Sequence, residues 1–101
     1  MEMHSVTLVT IVAESALQQA LCKLALRAGA TGYTIMPCTG SGSRGVRRGL
    51  TDVDMNVKLE IIAHPPVAEA IAAEVAALYA PDYALILFVQ PVSALTLHSA
   101  G

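Results

Sequence analysis

The chain has 101 residues, of which 54% are apolar and only 14% are charged, and its net charge is −2. A domain of this length withdraws only about two-thirds of its unfolded surface from water, and ordinary soluble domains are about 45 to 50% apolar. The surplus of apolar surface therefore predicts burial against other copies of the chain, in a tight homo-oligomer. The negative charge argues against a nucleic-acid binder, which needs clustered lysines and arginines.

The apolar segments do not suggest membrane insertion. The richest run, residues 83–89, ends at Gln90 and Pro91 and is far shorter than the about 20 residues of a spanning helix. Near the N-terminus, Glu2 stands where a secretory signal would carry a basic residue. We therefore expect a cytoplasmic protein, with residues 1–101 forming one domain.

The first elements read as a strand and a helix. Residues 6–13 are β-branched and apolar on both alternating faces, as in a strand covered on both sides. Leucines then recur at helical spacing over residues 16–28, with Glu14 or Ser15 as the predicted N-cap and Gly29 as the stop.

The remaining elements follow in the order strand, strand, helix, strand. The predicted strands are residues 32–38, 56–63 and 82–92, and the helix opens at Pro65 and Pro66. The apolar stripe of this helix is predicted to comprise Val67, Ile71, Val75 and Leu78.

This βαββαβ order predicts an α+β, ferredoxin-like fold in which both helices cover one face of a four-stranded antiparallel sheet. The first and last strands are apolar on both faces. We therefore expect the open face of the sheet to pack against other sheets around a closed symmetry axis.

The segment between the second and third strands is polar and rich in glycine, unlike the predicted strands and helices around it. Residues 39–54 contain four glycines, three arginines, two serines and two aspartates. Three of the glycines match GxGxxG, but the residues that follow cannot supply the helix of a Rossmann site, and the GK[ST] of a Walker A loop is missing. Glycine N–H groups and the guanidinium groups of Arg44, Arg47 and Arg48 favour an anion-binding loop. The alternative is a solvated hairpin kept soluble by its arginines.

Other reactive residues form no recognisable constellation. Asp52 and Asp54 are suited either to Mg²⁺ beside a phosphate or to a solvated turn, and we favour the turn. Cys22 and Cys38 read as buried thiols. The histidines lack metal-ligand spacing, so we expect no metal site; they are His4, His64 and His98.

Three segments carry a family resemblance: GATGYTIMPCTGSGSRGVRRG, NVKLEIIA and DYALILFVQPV. Together they resemble PII-like signalling proteins, most closely the short carboxysome-associated branch linked to inorganic carbon uptake. The resemblance implies a homotrimer that binds adenine nucleotides in the three clefts between subunits. It also implies that the long loop at about residues 39–55, the T-loop, closes on the ligand and touches partners.

The resemblance also implies a set of site residues. The nucleotide would be contacted by Tyr33, Thr34, Ile35, Met36, Thr39, Gly40, Ser41, Gly42, Ser43, Arg44, Arg47, Lys58, Leu87, Phe88 and Val89. Within this set, residues 40–44 would meet the phosphates, while residues 33–36 and 87–89 would border the base and ribose. Bicarbonate, an additional candidate ligand, would be held by Ser43, Arg44, Gly45 and Arg47.

Departures from the family refine these expectations. The loop lacks a modifiable tyrosine, and a tight turn at residues 80–82 replaces the Gly- and Lys-rich phosphate loop of nitrogen-regulatory relatives. These departures argue against uridylylation and favour AMP and ADP over triphosphates. The ending LTLHSAG lacks the cysteine-bearing extension of nucleotide-hydrolysing relatives, so we expect no enzymatic activity.

The resulting hypothesis is a non-catalytic sensor without a cofactor, whose ordered T-loop selects a bicarbonate transporter or a carboxysome component. One alternative is a Mg²⁺-dependent nucleotide phosphohydrolase using Asp52 or Asp54. The other is a metal-binding trimer of the heavy-metal-tolerance type using Cys38 and the histidines.

Overall fold

The computed structural model describes residues 2–39 and 55–95. Their elements are β1 (His4–Glu14), a 3-10 turn (Ser15–Leu17), α1 (Gln18–Ala28), β2 (Thr34–Cys38), β3 (Asn56–Ala63), α2 (Pro65–Leu78) and β4 (Ile86–Ala94). The strands form one antiparallel sheet in the order β2-β3-β1-β4. This architecture confirms the predicted ferredoxin-like α+β fold.

The core lies between the helices and one face of the sheet. The central strands contribute alternate residues to it, including Ile11 from β1 and Leu59 from β3, which pair directly in the ladder. The helices cover them with Leu21, Leu24, Ala25, Ile71 and Val75, all at most 1% exposed. In the described part of the chain, no helix has the length and apolar character needed to cross a membrane.

The start of α1 differs from the prediction, whereas its end agrees with it. Neither Glu14 nor Ser15 caps the helix with its side chain; a 3-10 turn intervenes, and the Ser15 N–H instead donates to the Met55 carbonyl at 3.0 Å. The predicted N-cap is therefore wrong, because β1 continues through Glu14. Gly29 ends the helix at φ +120°, where an added Cβ would lie 3.3 Å from the Val67 side chain.

The buried stripe of the second helix and the starts of β2 and β4 differ from the prediction. The stripe that α2 buries is Ala68, Ile71 and Val75, whereas Leu78 is 52% exposed. The prediction that Leu78 belongs to the buried stripe is therefore wrong; Leu78 is the last residue of α2. Strand β3 begins and ends where predicted, but β2 begins two residues late. Strand β4 begins four residues late, because the predicted turn at residues 80–82 is longer: the N–H groups of Asp82 and Tyr83 donate to the Tyr79 carbonyl, and residues 83–85 do not join the strand.

On the face of the sheet opposite the helices, β1 and β4 carry mainly apolar side chains, as predicted, whereas Thr10 on β1 and Lys58 and Glu60 on β3 are polar. Large side chains on this open face remain partly exposed in the protomer: Ile62 is 39%, Ile86 56% and Phe88 46% exposed. The ladder places Ile62 beside Leu8 and Phe88 beside Thr10, so these side chains form one continuous surface.

Candidate functional site

The candidate residues on β2 point alternately to the two faces of the sheet. Ile35 pairs with Leu59 and packs against the core on the helix side. Thr34 and Met36 therefore face the open side, where Thr34 lies opposite Glu60. A ligand on the open face would meet the side chains of Thr34 and Met36 but only the backbone of Ile35.

Lys58 is the cation that the described part of the chain places beside β2. It lies opposite Met36, and its Nζ is 3.8 Å from Oε2 of Glu60. Both side chains are more than one-third exposed, and such pairs typically contribute only about 0 to 1 kcal/mol. The ammonium group therefore remains able to turn towards an anionic ligand.

Two residues that sequence reasoning missed, Glu60 and Thr10, lie in one row with Thr34 and Phe88 on the open face. The ladders align Thr34, Glu60, Thr10 and Phe88 across all four strands. Thr10 is 1% exposed and is the one buried polar residue in the described ranges. The signal for Glu60 was its spacing from Lys58, two residues apart and thus on the same face. Thr10 gave no signal, because it lies within an apolar run.

Tyr33 occupies a different environment, on the helix side of the edge formed by β2. Its phenol contacts the thiol of Cys22 on α1, and this hydrogen bond, then the charge of the Cys22 thiolate, raises the pKa of Tyr33 above its ordinary value of 10.0. Cys22 is a buried free thiol, as predicted, while Cys38 is only half-buried. Tyr33 therefore contacts α1 while remaining 41% exposed.

The candidates on β4 lie at the opposite edge of the sheet. Phe88 faces the open side, whereas Leu87 packs against the core on the helix side, and Val89 is 49% exposed. Strands β3 and β1 separate β4 from β2, and three spacings of about 4.8 Å put the two edges about 14 Å apart. One protomer therefore does not bring residues 33–36 and 87–89 together.

Of the T-loop, the structure describes the two ends, Thr39 and Met55. Cys38 pairs with Asn56, and Met55 accepts the hydrogen bond from Ser15, so adjacent strands hold the base of the loop together. Thr39 is the described candidate on the loop. The other predicted residues lie outside the described ones: Gly40, Ser41, Gly42, Ser43, Arg44, Gly45, Arg47, Arg48, Asp52 and Asp54. Within residues 2–39 and 55–95, no three His, Cys, Asp or Glu side chains group as metal ligands.

The fold carries its candidate residues on two opposite edges of the sheet. Comparison with known protein families identifies the class of protein to which this fold belongs. Residues 6–98 match the family described as nitrogen regulatory protein P-II. The chain belongs to this family, whose PII-like members are homotrimers and generally non-catalytic signalling proteins. A trimer accounts for the apolar open face, which one protomer leaves partly exposed.

Solved structures agree with this assignment. A protein of Thermus thermophilus described as a PII-like signalling protein is 42% identical over 94% of both chains, with a TM-score of 0.80. CPII of Thiomonas intermedia, bound to ADP, AMP and bicarbonate, is 18% identical, with a TM-score of 0.79 over 95% of this chain and 99% of CPII. Its complex with ADP and bicarbonate is 21% identical, with a TM-score of 0.78 over 92% and 91%. The similarity to CPII concerns the fold.

Proposed function

We propose that this protein is a non-catalytic cytoplasmic sensor of AMP and ADP, with its nucleotide sites in the three clefts between protomers. The observation that carries the proposal is the separation of the candidate residues onto opposite edges of the sheet. In a closed ring with head-to-tail contacts, the β2 edge of one protomer can meet the β4 side of the next. Residues 33–36 and 87–89 would then border one cleft from two subunits.

Electrostatics support an anionic ligand in this cleft. Lys58 lies two residues from Asn56, which pairs with Cys38 at the base of the T-loop. The loop adds Arg44 and Arg47, together with glycine N–H groups that can converge on phosphate oxygens. We therefore assign the phosphates to the loop and its base, and the adenosine to the open face beside Thr34 and Met36.

Ligand occupancy would act by ordering the T-loop. Fixing a loop residue costs about 1 to 2 kcal/mol of conformational entropy, which phosphate contacts can offset. Bound and free protein would then present loops of different shape to a partner. The resemblance to the carbon-linked branch, and the bicarbonate bound by CPII, support bicarbonate as a second ligand. They also support a bicarbonate transporter or carboxysome component as the partner.

Calorimetric titration with AMP, ADP, ATP and bicarbonate tests this function. We expect binding of AMP and ADP with one site per protomer, weaker binding of ATP, and no release of phosphate during prolonged incubation with Mg²⁺. Steady turnover of nucleotide that is abolished by Asp52→Asn would instead establish the phosphohydrolase alternative.

Substitution of single cations locates the site. Arg44→Ala should weaken ADP binding by about 1.5 to 3 kcal/mol, the scale of a charge-assisted hydrogen bond. Lys58→Ala should weaken it by less, because the ammonium group is partly solvated. The matched control is Lys23→Ala on the exposed surface of α1, which removes the same charge without affecting the cleft. An unchanged dissociation constant for Arg44→Ala would remove this arginine from the site.

A further inference from the structure

The turn at residues 79–83, between α2 and β4, has no backbone N–H group left for a ligand. Four of its residues donate their N–H groups within the turn or to α2: Tyr79, Ala80, Asp82 and Tyr83. The acceptors are the carbonyls of Val75 and Tyr79, at 2.9 to 3.4 Å. The fifth residue, Pro81, has no N–H. Backbone turns bind phosphate through converging N–H groups, so this turn is unable to bind one in that way.

The turn lies at the same end of the sheet as the base of the T-loop. Strand β4 begins at Ile86, and the ladders across β1 and β3 place this residue in one row with Lys58. Cys38 and Asn56, which pair at the base of the T-loop, are two residues beyond that row. Residues 79–83 precede Ile86, so they too lie beyond this end of the sheet.

In the trimer, this turn lies at the phosphate end of a nucleotide cleft. The edges of neighbouring sheets meet around a ring only if the symmetry axis runs roughly along the strands. Rotation about such an axis keeps the same end of every sheet on the same side of the ring. The turn before β4 therefore lies near the base of the next protomer's T-loop. Its position beside the phosphates rests on the proposed function, in which these clefts bind nucleotide.

Asp82 gives this turn a negative charge. It is exposed, and it is the one charged residue in the range 79–95, from the end of α2 through β4. A carboxylate accepts hydrogen bonds but donates none, so it repels a phosphate oxygen. ATP carries more negative charge than ADP, and its third phosphate lies furthest from the adenosine. The turn therefore opposes the third phosphate with a negative charge and offers it no N–H donor.

We propose that the turn at residues 79–83 sets the nucleotide preference of this protein, because Asp82 rejects the third phosphate of ATP. AMP and ADP avoid this repulsion, since their shorter phosphate chains end nearer Lys58 and the base of the T-loop. Specificity can arise from a repulsive group placed against the unwanted ligand as well as from contacts to the preferred one. Substitution of this single side chain should therefore change the preference.

Calorimetric titration of the trimer with ADP and with ATP tests the proposal. The titrations are made without Mg²⁺, so that ATP keeps its full charge, and in about 0.1 M salt. The quantity compared is the dissociation constant of ATP divided by that of ADP. Asp82→Asn removes the charge but keeps the size of the side chain, and it should lower this ratio about threefold, the scale of an interaction between exposed charges. Asp82→Lys reverses the charge and should lower the ratio about tenfold.

Glu69→Gln is the matched control, because Glu69 is also an exposed carboxylate but lies near the start of α2. The helix from Glu69 to its end at Leu78 is about 14 Å long, at 1.5 Å per residue. This length exceeds the Debye length of about 10 Å in 0.1 M salt, so Glu69→Gln should leave the ratio unchanged. The effect of Asp82→Asn should shrink in 1 M salt, where the Debye length is about 3 Å. All these variants should remain trimeric, because backbone hydrogen bonds hold the turn.

Two results would overturn this inference and leave the nucleotide sensor intact. The first is a wild-type protein that binds ATP as tightly as ADP. The second is a pair of Asp82 variants that change the ratio no more than Glu69→Gln does. If the trimer binds no adenine nucleotide at all, the proposed function fails together with the inference, so the two failures are distinguishable.

Discussion

Truncation of Phe88 tests whether the open face holds the assembly together. The ring is 46% exposed in the protomer. For an aromatic side chain of about 200 Å², this leaves about 90 Å² to be covered by a neighbouring sheet. At about 25 cal/mol per Å², full coverage contributes about 2 kcal/mol per protomer. Because a trimer contains three such rings, Phe88→Ala should cost the assembly about 6 kcal/mol.

Analytical ultracentrifugation over a range of micromolar concentrations measures this effect. The wild type should sediment as a trimer throughout, while Phe88→Ala should dissociate at the lower concentrations. Leu78→Ala is the matched control, because Leu78 is also about half exposed, at 52%, but lies at the end of α2 on the helix side. If Phe88→Ala stays as firmly trimeric as Leu78→Ala, the open face is not the surface that assembles the trimer.

Three further predictions concern the protomer. In a urea titration, Gly29→Ala should lower the free energy of unfolding by about 1 to 3 kcal/mol, because φ is +120° and the new Cβ would press on Val67. Gly32→Ala should be close to neutral in the same titration, because a Cβ added there meets nothing within 4 Å. Leu59→Ala should lower the free energy of unfolding by about 2 to 5 kcal/mol, because the side chain is fully buried. An unchanged urea midpoint of unfolding would contradict the assignment of Leu59 to the core. Cys22→Ala should lower the pKa of Tyr33 towards 10.0, followed as tyrosinate absorbance with Tyr33→Phe as the reference.

The last of these predictions also fixes the sign of a pH effect on stability. Contact with Cys22 raises the pKa of Tyr33 in the folded protein, so the folded state holds this proton more tightly than the unfolded state does. The associated stabilisation is fully present below pH 10.0, the ordinary value, and is lost as the pH rises through the higher folded pKa. If the stability of a Tyr33→Phe variant falls with rising alkaline pH as steeply as that of the wild type, the pH effect does not come from Tyr33.

The sequence alone determined the order of the elements and the two faces of each strand. Strand β3 was predicted to the residue, because its alternation of Val57, Leu59 and Ile61 with polar or exposed neighbours is a local pattern that Pro65 ends sharply. The end of α1 at Gly29 was likewise anticipated from the place of this glycine after an apolar helix. Such features depend on neighbours within a few positions, so they can be read directly from the chain.

Tertiary structure decided which residues share a site. The row of Thr34, Glu60, Thr10 and Phe88 exists because of the register between four strands that are distant in sequence, and no local pattern encodes that register. Sheet order alone placed residues 33–36 and 87–89 on opposite edges, so that their meeting requires more than one protomer. Pairing between distant strands is set by the burial of the whole sheet, and this is why periodicity could predict the strands but not their neighbours.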